Sequence, residues 1–223
     1  MNIAICISGF IRNSLYNKSL FTNLIDNNPN MNFNIFIDTW DVYNSSISHA
    51  FIRRNYDNFN KVDINKLIEN YKPNVINIEN YNNEIFNYYE HYKGTNITQA
   101  VFSQFYKVQK CKRLMTDYMK SNNCKYDYII RTRFDLIYNK INLLNFDTNI
   151  MFFEEEHISN WISDKFSISN YQNFIIYSDF FDNLERLIIK RNNNVPEQLL
   201  YDYLIEENEI QYQKKENLFV NNW

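Results

Sequence analysis

The chain has 223 residues, of which 45% are hydrophobic and 22% charged, so it is long and apolar enough to bury a core and is not disordered. Its net charge of −3 disfavours a general nucleic-acid binder, which needs a basic face. The three cysteines form no disulfide framework and no metal-binding pair, which favours a reducing compartment.

Membrane and nucleotide-loop signals are also missing from the sequence. No apolar run approaches the length of a membrane span, and the N-terminus lacks a secretory signal pattern, so we expect a cytoplasmic protein. The chain has only two glycines, Gly9 and Gly94, which excludes a P-loop and the G-x-G-x-x-G dinucleotide motif. The densest basic run, residues 107–113, falls within a helical pattern and is predicted to be a solvated helix flank.

The first half of the chain alternates short apolar runs with helical patterns. Strands are predicted where apolar residues run together, and helices where they recur every three or four positions. In chain order these are a strand at 2–8, a helix over 15–25, a strand at 32–38, a helix at 63–71 and a strand at 74–80. The polar residues between them, 42–62, predict a long loop.

The second half begins with the best supported helix. Apolar residues recur at three- and four-residue steps over 98–120, the pattern of a helix with one buried face. Its stripe comprises Val101, Phe105, Val108, Cys111, Met115 and Met119. After it we predict strands at 126–133, 149–154 and 173–177 and helices at 179–191 and 196–207. This alternation predicts an α/β fold with a mostly parallel sheet flanked by helices, in one domain over residues 1–223.

The stretch YDYIIRTRFDL, residues 126–136, places charges at every second position at the end of an apolar strand. Because side chains alternate along a strand, Arg131, Arg133 and Asp135 share one face. Ligands of open α/β sheets bind at the carboxyl ends of the strands. The cluster therefore fits a diphosphate site, with or without a divalent metal. The alternative is a charged surface turn that follows an edge strand.

The sequence SGFIR follows the first predicted strand. A glycine at this point lets the backbone turn sharply and approach a ligand closely, and the start of the next helix favours anions. Ser8, Gly9 and Arg12 are therefore candidates for phosphate contacts, Arg12 through a bidentate bond. The alternative is a tight turn with an exposed arginine.

Polar residues also follow the second predicted strand, at residues 38–41. Trp40 is placed either to stack on a base or sugar or to cap a core. Asp38 and Asp41 are candidates for contacts with a metal, a ribose or a sugar hydroxyl.

Four short motifs occur in one order along the chain. They are S-G-x-x-R (8–12), F-I-x-T-W-D (36–41), S-Q-x-Y (103–106) and Y-D-Y-I-I-R-x-R-x-D (126–135). Together they resemble a family of GT-A-type glycosyltransferases found in bacterial surface-polysaccharide loci and in large DNA viruses. The resemblance is good over residues 1–138. It is weaker afterwards, where the matching motifs are S-D-K-F (163–166) and P-E-x-L-L-x-x-Y-L (196–204).

The resemblance implies a GT-A-like, Rossmann-like fold, with residues 1–138 binding a nucleotide sugar and 139–223 facing a glycan acceptor. Ser8, Gly9 and Arg12 would lie against the nucleotide diphosphate. Asp135 would hold Mn²⁺ or Mg²⁺ as the carboxylate of a D-x-D-like element. Arg133 stands where the first aspartate of that element is expected, and an arginine can itself neutralise a diphosphate.

An inverting transfer also needs a general base near the acceptor hydroxyl. Asp164 and Glu197, from the two later motifs, are the candidates. Asp164 can instead cap a local turn, and Glu197 can simply complement a helix dipole.

Two rival functions remain open from the sequence. One is a nucleotide- or sugar-binding domain without catalysis, which the missing aspartate favours. The other is an interaction protein that uses its many tyrosines at a partner surface. No feature of the sequence indicates an oligomeric state.

Overall fold

The computed structural model describes residues 1–11, 15–43, 60–81, 99–155, 158–191 and 195–219. The predicted phosphate contact of Arg12 and most of the predicted loop at 42–62 lie outside these residues. None of the helices in these ranges has the length and hydropathy to cross a membrane.

The strands in the described ranges follow the predicted order, with added strands at both ends of the loop predicted at 42–62 and late in the chain. They are β1 (Asn2–Ser8), β2 (Asn32–Trp40), β3 (Val42–Tyr43), β4 (Asn60–Lys61), β5 (Val75–Glu79), β6 (Tyr128–Thr132), β7 (Met151–Glu154), β8 (Ser167–Ser169) and β9 (Tyr212–Lys215). The strands predicted at 2–8, 32–38, 74–80, 126–133 and 149–154 are confirmed.

The helices are close to the prediction except for the third, which lies where a strand is predicted. They are α1 (Ile64–Tyr71), α2 (Gln99–Asn122), α3 (Tyr171–Ser178), α4 (Phe180–Arg191) and α5 (Pro196–Tyr201). Wider π-helical turns form Leu20–Ile25 and Asp202–Glu207, and a 3₁₀ turn forms Leu143–Asn145. The helix predicted at 196–207 therefore exists but widens after its sixth residue.

Seven strands form one sheet in the order β5-β2-β1-β6-β8-β7-β9. The first four are parallel to one another, β8 is antiparallel to both of its neighbours, and β7 and β9 are parallel. The small β3–β4 pair lies apart. The predicted α/β class with a mostly parallel sheet is confirmed, whereas the GT-A-like assignment and the division at residue 138 stay predictions.

The sheet buries both faces, which explains why β1 reads as a continuous apolar run. Ile3, Ile5 and Ile7 pack on one face with residues of β2 and β6. Ala4 and Cys6 point the other way and pack with α2, through Cys111 and Met115 among others. The predicted apolar stripe of α2 thus lies on the sheet.

The strand predicted at 173–177 is wrong, because these residues lie inside helix α3. The side chain of Asn170 accepts a hydrogen bond from the Asn173 backbone and caps the helix start. A short apolar run does not distinguish a buried strand from a buried helix. The strand of this region is β8, whose three residues precede the helix and are too short to recognise.

The central strand offers a direct test of the fold. Ile5→Ala should lower the free energy of unfolding by about 3 kcal/mol, because it empties a fully buried position in β1. Ile189→Ala on α4 is the control, since its side chain is 73% exposed and should change stability by less than about 0.5 kcal/mol. Urea unfolding of the two variants measures both. Equal losses would contradict this sheet core.

Candidate functional site

Polar side chains line the carboxyl ends of β1, β2 and β6 on the face that α2 covers. In the sheet register Ser8 lies opposite Asp38, and Cys6 lies opposite Arg131. Since alternate residues share a face, the side chains of Asp38, Ser8 and Arg131 all point to the α2 side. The structure therefore brings together the three predicted segments at one edge of the sheet.

Arg133 and Asp135 form a bidentate ion pair just beyond the end of β6. Arg133 Nε donates to Asp135 Oδ1 at 3.0 Å and Nη2 to Oδ2 at 2.6 Å. Arg133 is 8% exposed. Its burial opposes the positive charge, but the carboxylates of Asp135 and Asp164 outweigh burial and raise the pKa of Arg133. The guanidinium is thus charged and held in one orientation.

Arg131 lies deeper and has fewer partners. Its side chain is fully buried, and Nη1 donates a hydrogen bond to the carbonyl oxygen of Asp164. Nε and Nη2 have no hydrogen-bond partner among the described residues. A buried guanidinium with unmade hydrogen bonds is costly, and such groups are often found where a ligand binds.

Asp164 joins the end of the sheet to helix α2. Gln104 Nε2 donates to the Asp164 carbonyl at 2.9 Å and to carboxylate Oδ2 at 2.7 Å. Asp164 is 9% exposed, and Oδ1 has no partner among the described residues. The S-Q-x-Y and S-D-K-F motifs therefore meet at this carboxylate, a contact that their spacing in the sequence does not reveal.

Gly9 directly follows β1 in a conformation that suits glycine. Its φ is +105°, and a Cβ added there would meet no described atom within 4 Å. Its N–H donates to the Asp38 carbonyl and its carbonyl accepts from Thr39 Oγ1. Beside it, Ser8 Oγ is buried and has no described partner. Among the described residues, the end of β1 therefore leaves space above Gly9 and the Ser8 hydroxyl unused.

Asp38 is occupied by protein partners. Lys107 Nζ lies 2.8 Å from Asp38 Oδ1, and Asn77 Nδ2 donates to Oδ2 at 2.8 Å. Lys107 also pairs with Glu79 Oε2 at 2.7 Å. Burial raises the pKa of Asp38 to about 6, against the lowering effect of Lys107 and Asn77. Ligand contacts by Asp38 stay a prediction, but the described contacts already use both of its oxygens.

The prediction of a solvated flank at 107–113 is wrong for Lys107. This lysine is fully buried, and its ammonium also lies 3.8 Å from the centre of the Trp40 ring. Arg113, at the other end of the run, is exposed as predicted. The charge is tolerated inside because Asp38 and Glu79 pair with it.

Trp40 and Asp41 lie among protein partners at the β5 side of the sheet. Trp40 is 3% exposed, stacks on Tyr106 and donates its indole N–H to Ser103 Oγ at 2.8 Å. Asp41 pairs with Lys61 and accepts the Tyr81 backbone N–H at 3.1 Å. The described packing favours the core-capping interpretation of Trp40.

Glu197 lies in the first turn of α5, as predicted. Its carbonyl accepts the Ile162 backbone N–H at 3.1 Å, so the start of α5 contacts the segment that carries Asp164. The two candidate bases are therefore on neighbouring segments, and the backbone carbonyl of Asp164 is connected to the end of β6 through Arg131.

The described residues do not fit a divalent metal at Asp135. Both carboxylate oxygens of Asp135 already accept from Arg133, and a metal ion there would also face the guanidinium charge. In the described ranges no three His, Cys, Asp or Glu side chains are placed to hold a metal ion. The prediction of Mn²⁺ or Mg²⁺ on Asp135 has no support in this geometry.

Sequence reasoning missed several residues of this region. Lys107 lies four positions after Ser103 and four before Cys111. This spacing places it on the buried stripe of α2, so the sequence did contain a signal for its burial. The buried hydroxyls of Ser163, Ser167 and Tyr177 gave no signal, because nothing in a local pattern marks them as neighbours of β6.

The ion pair of Lys107 predicts a pH-dependent loss of stability on substitution. Lys107→Met should cost about 3–5 kcal/mol at about pH 7.5, because it leaves the buried Asp38 carboxylate without its cation. Without Lys107 the pKa of Asp38 rises further, so the carboxylate protonates more readily and the loss should shrink towards about pH 5.

Urea unfolding at several pH values measures this effect. Lys112→Met is the matched control on α2, since Lys112 pairs with the partly exposed Asp179 and should cost less than about 1 kcal/mol. A Lys107 effect that grows as the pH falls would contradict the assignment.

Comparison with known proteins identifies the family of this chain. No curated protein matches the chain. Among solved structures the chain is similar to one titled PaToxG Glycosyltransferase, with 18% identity, covering 92% of this chain and 69% of that chain at a TM-score of 0.38. At that TM-score no residue role is transferred from it. The family model described as "Domain of unknown function (DUF7796)" matches residues 1–219, nearly the whole chain. The protein therefore belongs to the DUF7796 family.

Proposed function

We propose that this protein is a glycosyltransferase that moves a sugar from a nucleotide-sugar donor to a glycan or related acceptor. One observation carries the proposal: two arginines, Arg131 and Arg133, lie at the carboxyl end of a central parallel strand with guanidinium nitrogens that no described residue uses. That end of an open α/β sheet is where ligands bind. The resemblance of the four motifs to GT-A-type glycosyltransferases points the same way.

Arg133 suits a diphosphate because its fork to Asp135 uses only part of the guanidinium. Arginine has five N–H donors, and the pair with Asp135 engages Nε and Nη2, leaving Nη1 without a described partner. Charge-assisted hydrogen bonds to phosphate are among the strongest in proteins. Positive charge placed there stabilises the negative charge that develops on the departing nucleotide.

Gly9 and Ser8 complete the donor side of the proposal. No described atom above Gly9 keeps a phosphate from the backbone, and the Ser8 hydroxyl has no described partner. In this arrangement β1 supplies the space and β6 supplies the charge.

Asp164 is the better candidate for the general base of an inverting transfer. Hydrogen bonds from Gln104 and Arg131 hold it in place, while Oδ1 stays free of described partners and can accept a proton from an acceptor hydroxyl. Glu197 is the second candidate, on the adjacent start of α5.

The donor side predicts a nucleotide-binding defect. Arg133→Met should weaken binding of the preferred nucleoside diphosphate by about 10- to 100-fold, the contribution expected of hydrogen bonds from a charged donor. A panel of UDP, GDP and CMP in thermal-shift assays identifies the ligand, since a nucleotide at 100 times its dissociation constant stabilises the fold by about 2.7 kcal/mol. Titration calorimetry then measures the variants.

Arg186→Met is the control for this experiment. Arg186 pairs with Glu207 on the exposed surface, and its loss should leave nucleotide binding unchanged. If no nucleotide stabilises the wild-type protein, the donor assignment fails and the result favours the alternative of an interaction protein.

The acceptor side predicts a defect in turnover. Asp164→Asn should lower kcat at least about 100-fold with little change in donor affinity, because it removes the proton acceptor but retains the bond from Gln104. Glu197→Gln is the paired variant that tests the rival base. Transfer or hydrolysis of sugar nucleotides measures both. Normal turnover in Asp164→Asn would remove Asp164 from the mechanism, and no turnover in the wild type would favour a binding domain without catalysis.

A further inference from the structure

Buried hydrogen-bond donors without described partners gather around Arg131. They are Nε and Nη2 of Arg131 itself and the hydroxyls of Ser163, Ser167 and Tyr177. All four residues are fully buried. Buried polar groups in proteins are normally hydrogen-bonded, so this number of unpaired donors in one region calls for a physical explanation.

Three separate observations connect these residues to the guanidinium or to the segments that surround it. Ser167 lies directly opposite Arg131 in the antiparallel β6–β8 ladder, so the two side chains share a face with Cβ atoms about 4.5–5.5 Å apart. Ser163 directly precedes Asp164, whose carbonyl accepts from Arg131. Tyr177, on α3, has its ring centroid 6.3 Å from that of Phe153, which lies opposite Ser167 in the β7–β8 pair. The charge of Arg131 also lowers the pKa of Tyr177, against the larger effect of burial.

The chemistry of this donor set selects an anion. A guanidinium stays protonated and has no acceptor, and burial raises the pKa of Tyr177 to about 12, so its hydroxyl stays a donor at neutral pH. No described carboxylate forms an ion pair with Arg131, and Asp164 gives it only a carbonyl while a carboxylate oxygen binds Gln104. Water molecules can satisfy these hydrogen bonds but do not balance the positive charge of Arg131. A buried charge without a counter-charge is costly.

We infer that Arg131, Ser163, Ser167 and Tyr177 form an oxyanion site that takes a phosphoryl group of the donor diphosphate directly, with no bridging divalent cation. The identity of the ligand as a donor diphosphate rests on the proposed function. The oxyanion chemistry of the site rests on the donor set alone.

The neighbouring ion pair supports direct binding without a metal. Asp135 gives both carboxylate oxygens to Arg133, so in the described geometry it holds that guanidinium in one orientation beyond the end of β6. Arg131 and Arg133 are two residues apart on β6 and its extension, which corresponds to about 6.6 Å along an extended chain. Two long side chains at that separation can contact the same diphosphate.

Pyrophosphate binding in the presence of EDTA tests the inference on the full chain. Tyr177→Phe removes one hydroxyl and keeps the ring, and should weaken pyrophosphate binding about 10-fold or more, as for a lost hydrogen bond to a charged group. Tyr71→Phe is the matched control. Its hydroxyl is also buried, but Tyr71 packs in the core on the opposite face of the sheet.

A second matched pair lies on β8. Ser167→Ala should weaken pyrophosphate binding by a similar factor, whereas Ser169→Ala should not. Both hydroxyls are buried on the same face of the same strand without a described partner, but Ser169 lies opposite Ile129 instead of Arg131. Urea midpoints show whether each variant is folded, and the second pair keeps the test decisive if one variant is unstable.

The outcomes separate this inference from the proposed function. Binding in EDTA that falls in Tyr177→Phe and Ser167→Ala but not in the controls supports the oxyanion site, even if no sugar is transferred. Nucleotide binding that requires Mn²⁺ and is unchanged in these two variants overturns the oxyanion site but leaves the proposed function standing. If neither pyrophosphate nor any nucleotide binds, water fills the unpaired donors and both proposals fail.

Discussion

Two donors from different parts of the chain converge on the carbonyl oxygen of Asp164: Arg131 Nη1 from β6 and Gln104 Nε2 from α2. This junction joins the central sheet, the long helix and the 163–166 segment, and Gln104 also donates to the Asp164 carboxylate. It also leaves the rest of the Arg131 guanidinium buried without a described partner. The cost of that unpaired charge underlies both the proposed donor site and the oxyanion site inferred from it.

Charge at the sheet edge is divided into two groups with different consequences. Towards β5, Lys107 pairs with Asp38 and Glu79, so those charges balance within the protein and contribute to the stability of α2 on the sheet. Towards β6, Arg133 is only partly engaged by Asp135 and Arg131 has no ion pair with a described carboxylate. Stability therefore depends on the first group, and ligand binding is expected at the second.

Local pattern was sufficient for most elements of the fold. Continuous apolar runs marked β1, β2 and β6, and the three- and four-residue spacing marked α2, because these patterns follow from the geometry of a buried strand and a one-sided helix. It failed at 173–177, where a five-residue apolar run lies in a helix, and at β8, where three residues are too few for a period. The segments that contain Ser8 and Arg131 were correctly predicted to lie at one edge of the sheet, because parallel strands place their carboxyl ends together.

By itself the sequence determined the α/β class, the order of the main strands and the presence of arginines at the end of β6. Each of these depends on neighbours within a few residues. Only the tertiary structure decided that Lys107 is buried, that Asp135 is engaged by Arg133, and that Ser167 lies opposite Arg131. These are contacts between elements whose partners are set by packing and by the balance of buried charge, and no local period encodes either.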